Sequence, residues 1–199
     1  MFRSDYMKSM IITGFEPFGG ESMNPSREVV KSLPDTVGEY MLTKLCIPVV
    51  FGTAAEKVLQ VADEIHPDVI LSIGQAGGRA EVTPEMVAIN LRHGKIPDNA
   101  GYQPMDEPVI EGGDAAYFST LPVRKIEEAI NDCGVSARVS YTMGTYVCND
   151  LSYILLSHYA GSETRVGFIH VPYCTEQGKE PSMSLDDVTK AIVAAIKAI

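Results

Sequence analysis

Short runs of β-branched and other apolar residues alternate with amphipathic helical stretches from one end of the chain to the other. That alternation is the strongest constraint on its fold. Apolar strands separated by helices call for an α/β architecture with a largely parallel sheet covered on both faces. The punctuation between segments is clear. MIIT (10–13) reads as a first buried strand, followed by the loop GFEPFGG and a helix with Asn24 as N-cap and Pro25 at its first position. YMLTKLCI (40–47) is a second strand, and Thr53 with Glu56 predicts a capping box for a helix that runs towards Ile65 and is stopped by Pro67. VILSIG (69–74) is a third strand ending in the turn GQAGG, and MVAINL (86–91) a fourth. Residues 92–120, rich in Gly, Pro, Asp and Asn, have no strong periodicity, and so long a loop in a compact domain is usually functional. Pro122 then opens a helix that Gly134 stops, RVSYT (138–142) is a fifth strand, and Thr145 caps a helix reaching Tyr159. VGFIHV (166–171) is a sixth strand, and Ser184 with Asp187 begins the last helix.

A chain of 199 residues can bury one substantial core and needs no second domain, so residues 10–199 are expected to form a single unit. Residues 1–9 are expected to be a leader or frayed end, with Met7 or Met10 as alternative natural starts. No apolar run approaches the roughly 18 residues of a membrane span, and the N-terminus lacks the apolar centre of a secretory signal. The expectation is a soluble, cytoplasmic protein. A net charge of -10 repels phosphate backbones and anionic lipid, which argues against nucleic-acid or membrane partners and leaves small neutral ligands open. Cys46, Cys133, Cys148 and Cys174 are widely spaced without CxxC pairing, against both a zinc site and a disulfide framework.

Three side chains can carry chemistry. Cys148, in SYTMGTYVCND, falls in the first turn of a helix entered through Gly144. Helix N-terminal amides carry about half a positive charge, which favours a thiolate and can hold a developing oxyanion. The same position also suits a small buried hydrophobe. His170 ends the strand VGFIHV, where open α/β sheets place ligands, although a satisfied core histidine fits there as well. His66, His93 and His158 read as capping, loop or surface residues. Glu85 enters a strand near GQAGG, where a carboxylate needs a partner, and could orient an imidazole; Glu81 is an alternative that spacing does not exclude.

The segments GFEPFGG, MNPS, GQAGGRAEVTPEMVAIN, IPDNAG, SYTMGTYVCND, GFIHVP and PSMSLD resemble, in order, the signatures of the pyroglutamyl peptidase I (pyrrolidone carboxyl peptidase) family. The resemblance runs from Thr13 to Asp186. It implies a Cys-His-Glu triad on Cys148, His170 and Glu85, demoting Glu81. It also implies a three-layer α/β/α fold with a mixed sheet like that of purine nucleoside phosphorylases, and a homotetramer acting on N-terminally pyroglutamylated peptides without a cofactor. Phe15 and Phe18 are placed at the pyrrolidone ring, with Gln75 at the pocket edge and Asn24 a neighbour that N-capping already explains. Two aromatic faces suit a flat, uncharged lactam. Where the family pattern has ARIPDN this chain has GKIPDN, so Lys95 offers the oxyanion region a point charge in place of a planar fork. Cys174 stands outside the implied triad, as a thiol near the site or an oxidation liability.

Two other readings compete. A cysteine amidase with a different acyl group would share the triad, since a triad does not set specificity. A non-catalytic nucleotide-binding module is disfavoured because the loops lack both GxGxxG and a P-loop lysine.

Overall fold

The apolar strands pair in the order β2-β3-β1-β4-β8-β5, with β1 (Lys8–Phe15), β3 (Tyr40–Ile47), β4 (Val69–Gln75) and β8 (Arg165–Val171) mutually parallel. The two-residue strands β2 (Thr36–Val37) and β5 (Thr83–Pro84) close the edges antiparallel. The coordinates are those of a computed structural model and describe residues 7–199. Period-two alternation sends Met10, Ile12, Leu71, Ile73, Ile169 and Val171 to one face of the sheet. There they meet α1 (Pro25–Ser32), α3 (Val123–Asp132) and α5 (Leu185–Lys197). Ile11, Phe15, Ile70, Val166 and Phe168 point the other way, onto α2 (Thr53–Ile65) and α4 (Val147–His158). Two apolar faces on one sheet make the expected three-layer α/β/α sandwich.

Several local expectations shift. β1 starts at Lys8, and Lys8 and Ser9 pair with Tyr40 and Met41, so the strand takes in the last two residues assigned to the leader. Residues 1–6 of that leader, the rest of it apart from Met7, lie outside the described residues. MVAINL does not join the main sheet: β6 (Val87–Ile89) pairs antiparallel with β7 (Ala116–Phe118) as a separate ribbon. RVSYT forms no strand. Its backbone runs beside 82–86 through isolated bridges, Val82 to Ala137 and Glu85 to Ser140, because Pro84 between them has no N–H to donate. The helix caps move by one residue. α2 begins at Thr53 itself behind Gly52, and α4 begins after Tyr146, neither with a side-chain cap. Asn24 and Ser184 do cap α1 and α5, accepting from Ser26 and Asp187 backbone N–H groups.

Side chains of the first turn of α4 fix its start in place. Fully buried Asn149 accepts from Ile89 N–H at 2.9 Å and donates to the carbonyls of Ile89 at 2.8 Å and Leu91 at 3.0 Å. Asp150, equally buried, accepts from Gly52 N–H at 2.7 Å and pairs with Arg92. The start of α4 is thereby bolted to the ribbon on one side and to the start of α2 on the other. Removing these bonds by Asn149→Ala leaves three backbone groups to find new partners. The expected cost is about 3 kcal/mol, read as a lower urea midpoint at unchanged m-value. A loss below about 0.5 kcal/mol, the range of neutral surface changes, would remove Asn149 from this role.

Candidate active site

The parallel strands β1, β4 and β8 end on the same edge of the sheet, and the N-terminus of α4 lies over their ends. Gly74 of β4 makes this approach possible. A Cβ at that position would stand 2.6 Å from Phe168 Cζ and 3.1 Å from Cys148 Sγ, so only glycine lets the thiol settle against the strand end. Gly144, at φ +78°, takes the left-handed conformation that turns the chain into α4. Cys148 is the second residue of that helix, and the amides of Val147 and Cys148 precede any intrahelical bond. With no side chain capping them, they remain available to an anion.

His170 is in register with Gly74 of β4 on one side and Thr83 of β5 on the other. Its ring is 4% exposed and tilts against Phe168 at 4.7 Å between centroids. Immediately after β5, Glu85 N–H bonds to Phe168 O at 2.9 Å, which turns the fully buried Glu85 side chain to the ring: His170 Nδ1 lies 2.7 Å from Glu85 Oε1. That bond leaves Nε2 as the ring nitrogen without a partner among the described residues. Cys148 and His170 line one cavity of about 580 Å³, without a direct hydrogen bond between them.

Arg79, not singled out from the sequence, belongs to the same cluster. Its Nη1 donates to Glu85 Oε1 at 2.5 Å and to Thr83 Oγ1 at 2.5 Å, while Nη2 holds Thr142 O at 2.9 Å. It lines the cavity as well. The available signal was a cation directly after GQAGG, six positions before a carboxylate that must be buried. Glu81 is elsewhere, paired with Arg138 at 2.6 Å and with Ser136 Oγ at 3.2 Å.

The charges in this cluster are set by burial. Burial, with the Glu85 carboxylate adding to it, pushes the Cys148 thiol up to about 12 against the opposing pull of Arg79. Burial likewise lowers the His170 imidazole, although the hydrogen bond to Glu85 works to raise it. Burial alone would raise the Glu85 carboxyl, but the His170 hydrogen bond and charge, joined by Arg79, outweigh it and hold the group below its ordinary value. Burial thus disfavours both the thiolate and the imidazolium, above a carboxylate that its partners keep charged. The helix end alone does not set the acidity of the thiol, since desolvation acts on the sulfur in the opposite sense.

Phe15, Phe18, Gln75 and Asn24 all line the same cavity, as do Lys95 and His93. Phe15 packs on Phe168 with centroids 6.4 Å apart, and Phe18 on Tyr146 at 6.2 Å. Asn24 is already committed: Oδ1 accepts from Ser26 N–H and Oγ–H, and Nδ2 donates to Glu16 O at 3.1 Å. Ser26 Oγ in turn accepts from Phe15 N–H at 3.0 Å, so Asn24 fixes the loop that carries both aromatic rings. The long segment after β6 is pinned to the mouth of α4, with His93 N–H on Thr145 O, Thr145 Oγ1–H on His93 O, and Tyr146 O–H on Pro97 O at 2.9 Å. His93, read from the sequence as a loop residue, thus stands at the cavity wall with Nδ1 2.8 Å from Asp106. Cys174 is buried outside the cavity lining. Among the described residues, no three His, Cys, Asp or Glu side chains group to hold a metal ion, and no helix is long and apolar enough to cross a membrane.

The chain is similar to known proteins over almost its whole length. The family model described as pyroglutamyl peptidase matches residues 8–199. The pyrrolidone-carboxylate peptidase of Levilactobacillus brevis is 49% identical, over 96% of this chain and 96% of its own. That of Clostridium perfringens is 47% identical, over 96% and 92%. Among solved structures, pyroglutamyl peptidase I of Bacillus amyloliquefaciens superposes with a TM-score of 0.92 at 44% identity, covering 96% of both chains. A mutant pyrrolidone carboxyl peptidase of Pyrococcus furiosus does so at 0.91 and 39%, covering 96% of this chain and 97% of that one. With a match over almost its whole length, on a sheet whose strand ends gather a cysteine, a histidine and a buried glutamate, the chain belongs to the pyroglutamyl peptidase family.

Proposed function

We propose that this member of the family removes an N-terminal pyroglutamyl residue from peptides, with Cys148 as nucleophile, His170 as base and Glu85 as the group that orients the imidazole. The observation that carries the reading is the buried 2.7 Å bond between His170 Nδ1 and Glu85, which engages one ring nitrogen and leaves Nε2 free on a residue that lines the cavity together with Cys148. His170 Nε2 takes the thiol proton as sulfur attacks the pyroglutamyl carbonyl carbon. The backbone N–H groups of Val147 and Cys148 receive the oxyanion, with Lys95 as a nearby point charge. The C–N bond breaks as the imidazolium returns its proton to the leaving amine, giving a thioester. Water then gives a proton to His170, attacks the thioester and releases pyroglutamate and the thiol.

Specificity follows from dryness. Phe15 and Phe18 offer apolar faces to a neutral ring, and an N-terminal amino acid that keeps its ammonium would have to be desolvated with no counter-ion in reach. The four unpaired cysteines support a reducing, cytoplasmic setting. The family resemblance supports a homotetramer, and the charge of -10 speaks against nucleic acid as a partner.

Cys148→Ala is expected to abolish hydrolysis of a pyroglutamyl amide while leaving the circular dichroism spectrum and urea midpoint near wild type. Retained turnover would overturn the assignment. A pH series tests the electrostatics. His170 serves as base only when neutral, and its burial places the protonation below the ordinary histidine value of 6.5, so the acid limb of kcat/KM is expected below that pH. The Arg79 cation holds both the imidazole and the thiol down. Arg79→Gln is therefore expected to move the acid limb to higher pH and to lower kcat. An acid limb that stays in place would exclude Arg79 from tuning the pair.

A further inference from the structure

We propose that Gln177 is a positioning residue that decides the polarity with which the cavity reads the lactam, by holding Gln75 so that it presents an N–H donor to the ring carbonyl. The inference rests on the pyroglutamyl reading of the cavity and deepens it. A primary amide carries an acceptor at one end and donors at the other, and which end faces a ligand depends on what occupies its far side. Here the far side is determined by a chain of fixed donors and acceptors.

The chain begins at the two-residue strand β9 (Tyr173–Cys174), which pairs with β10 (Ser182–Met183). The backbone N–H of Cys174 can only donate, and it donates to Gln177 Oε1 at 3.0 Å. The buried Cys174 thiol points at the same oxygen, 3.4 Å away. The Gln177 carbonyl is thus committed, and its Nε2 must face outward. It donates to Gln75 Oε1 at 2.9 Å and reaches Glu21 Oε2 at 3.4 Å. Glu21 is a carboxylate paired with Lys179, so it too can only accept, and it opposes the reversed Gln177 amide independently of Cys174.

With Oε1 engaged, the polar group left to Gln75 is Nε2, which has no partner among the described residues, and Gln75 lines the cavity beside Phe15, Phe18 and His170. The cavity therefore offers a donor to its ligand at this point. A lactam carbonyl accepts that bond. An N-terminal proline has a methylene in the place of that carbonyl and leaves the donor unpaired. Discrimination between a lactam and a pyrrolidine N-terminus is thereby written into an amide orientation set from a loop outside the cavity lining. The role assigned to Cys174 is likewise structural: its backbone and thiol anchor the chain of bonds.

Gln177→Glu tests this by inverting the polarity. A carboxylate at 177 accepts from Cys174 N–H with one oxygen and turns the other on Gln75, which must answer with Nε2 and swing Oε1 towards the ligand. For a chromogenic pyroglutamyl amide, KM is expected to rise about tenfold, the scale of one lost neutral hydrogen bond. kcat is expected to stay within about twofold, because the reacting atoms are untouched. Inhibition by 2-pyrrolidone should weaken by the same factor. Gln177→Met deletes the bias without inverting it, leaves the two Gln75 orientations near equal, and should raise KM only about twofold. A purely structural role for Gln177 predicts equal effects of the two changes, or a fall in kcat at constant KM, and either result overturns the proposal. Should the Glu variant fail to fold, an unchanged KM in Gln177→Met does the same. A wild-type protein that hydrolyses the pyroglutamyl amide alongside a Gln177→Glu variant of unaltered KM refutes this proposal alone; a wild-type protein that does not hydrolyse it refutes the functional reading as well.

Discussion

A carboxylate with no exposed surface, Glu85, is the constraint around which the site is built. Burying an isolated charge costs several kcal/mol, and the cost is recovered only when good partners surround it. Glu85 has two such partners on a single oxygen, the His170 ring at 2.7 Å and Arg79 at 2.5 Å, while Oε2 is left with none. Both partners are therefore tied to one atom. If His170 rotated away, or Arg79 withdrew to solvent, the carboxylate would lose most of what makes its burial tolerable. The tautomer and tilt of the imidazole are consequences of a desolvated anion beneath it.

The frame that brings the thiol to this point uses the same economy of buried polar groups. Cys148 is followed by Asn149 and Asp150, two polar residues with no exposed surface, and both spend their side chains on backbone groups of other segments. A helix start held by side chains of its own first turn is fixed in position, and its leading amides stay unoccupied. The irregular stretch between β6 and β7 is held in the same way. Asp98, 6% exposed, accepts from Phe51, Ala100 and Tyr102 N–H groups, and Asn99 Nδ2 bonds Pro17 O. A loop of that length is ordered by carboxylates and amides acting on backbone, where a strand would use a ladder.

These devices decide what could be read from the residues in advance. The four long parallel strands were legible from their short apolar and β-branched runs, and the five helices from amphipathic spacing and from the residues that start and stop them. The ribbon β6–β7 and the strandless RVSYT segment were not, since a short apolar run carries no information about which sheet, if any, accepts its hydrogen bonds; Pro84 settled that through a missing N–H on a neighbour. Cys148 and His170 could be nominated from their places at a helix start and a strand end. Glu85 could not be separated from Glu81 by spacing, and it took the family pattern to choose and the 0% exposure of Glu85 against the ion-paired loop position of Glu81 to give the physical reason. Arg79 and Gln177 escaped notice because each acts through another side chain, and such a relation exists only in three dimensions.

Desolvation also links reactivity to selectivity in this site. On the proposed reading, the desolvation that disfavours an ammonium beside Phe15 and Phe18 also acts on the Cys148 thiol, its pKa raised to about 12. A site that prefers a neutral lactam in this way forgoes a standing thiolate. On the proposed mechanism the nucleophile is made on demand, by transfer to an imidazole whose burial disfavours its cation. The carboxylate beneath that imidazole would then stabilise the cation once the proton has moved, and the uncapped amides of α4 would receive the charge on the substrate oxygen. Charge so created appears only with substrate in place, next to groups that the fold already orients.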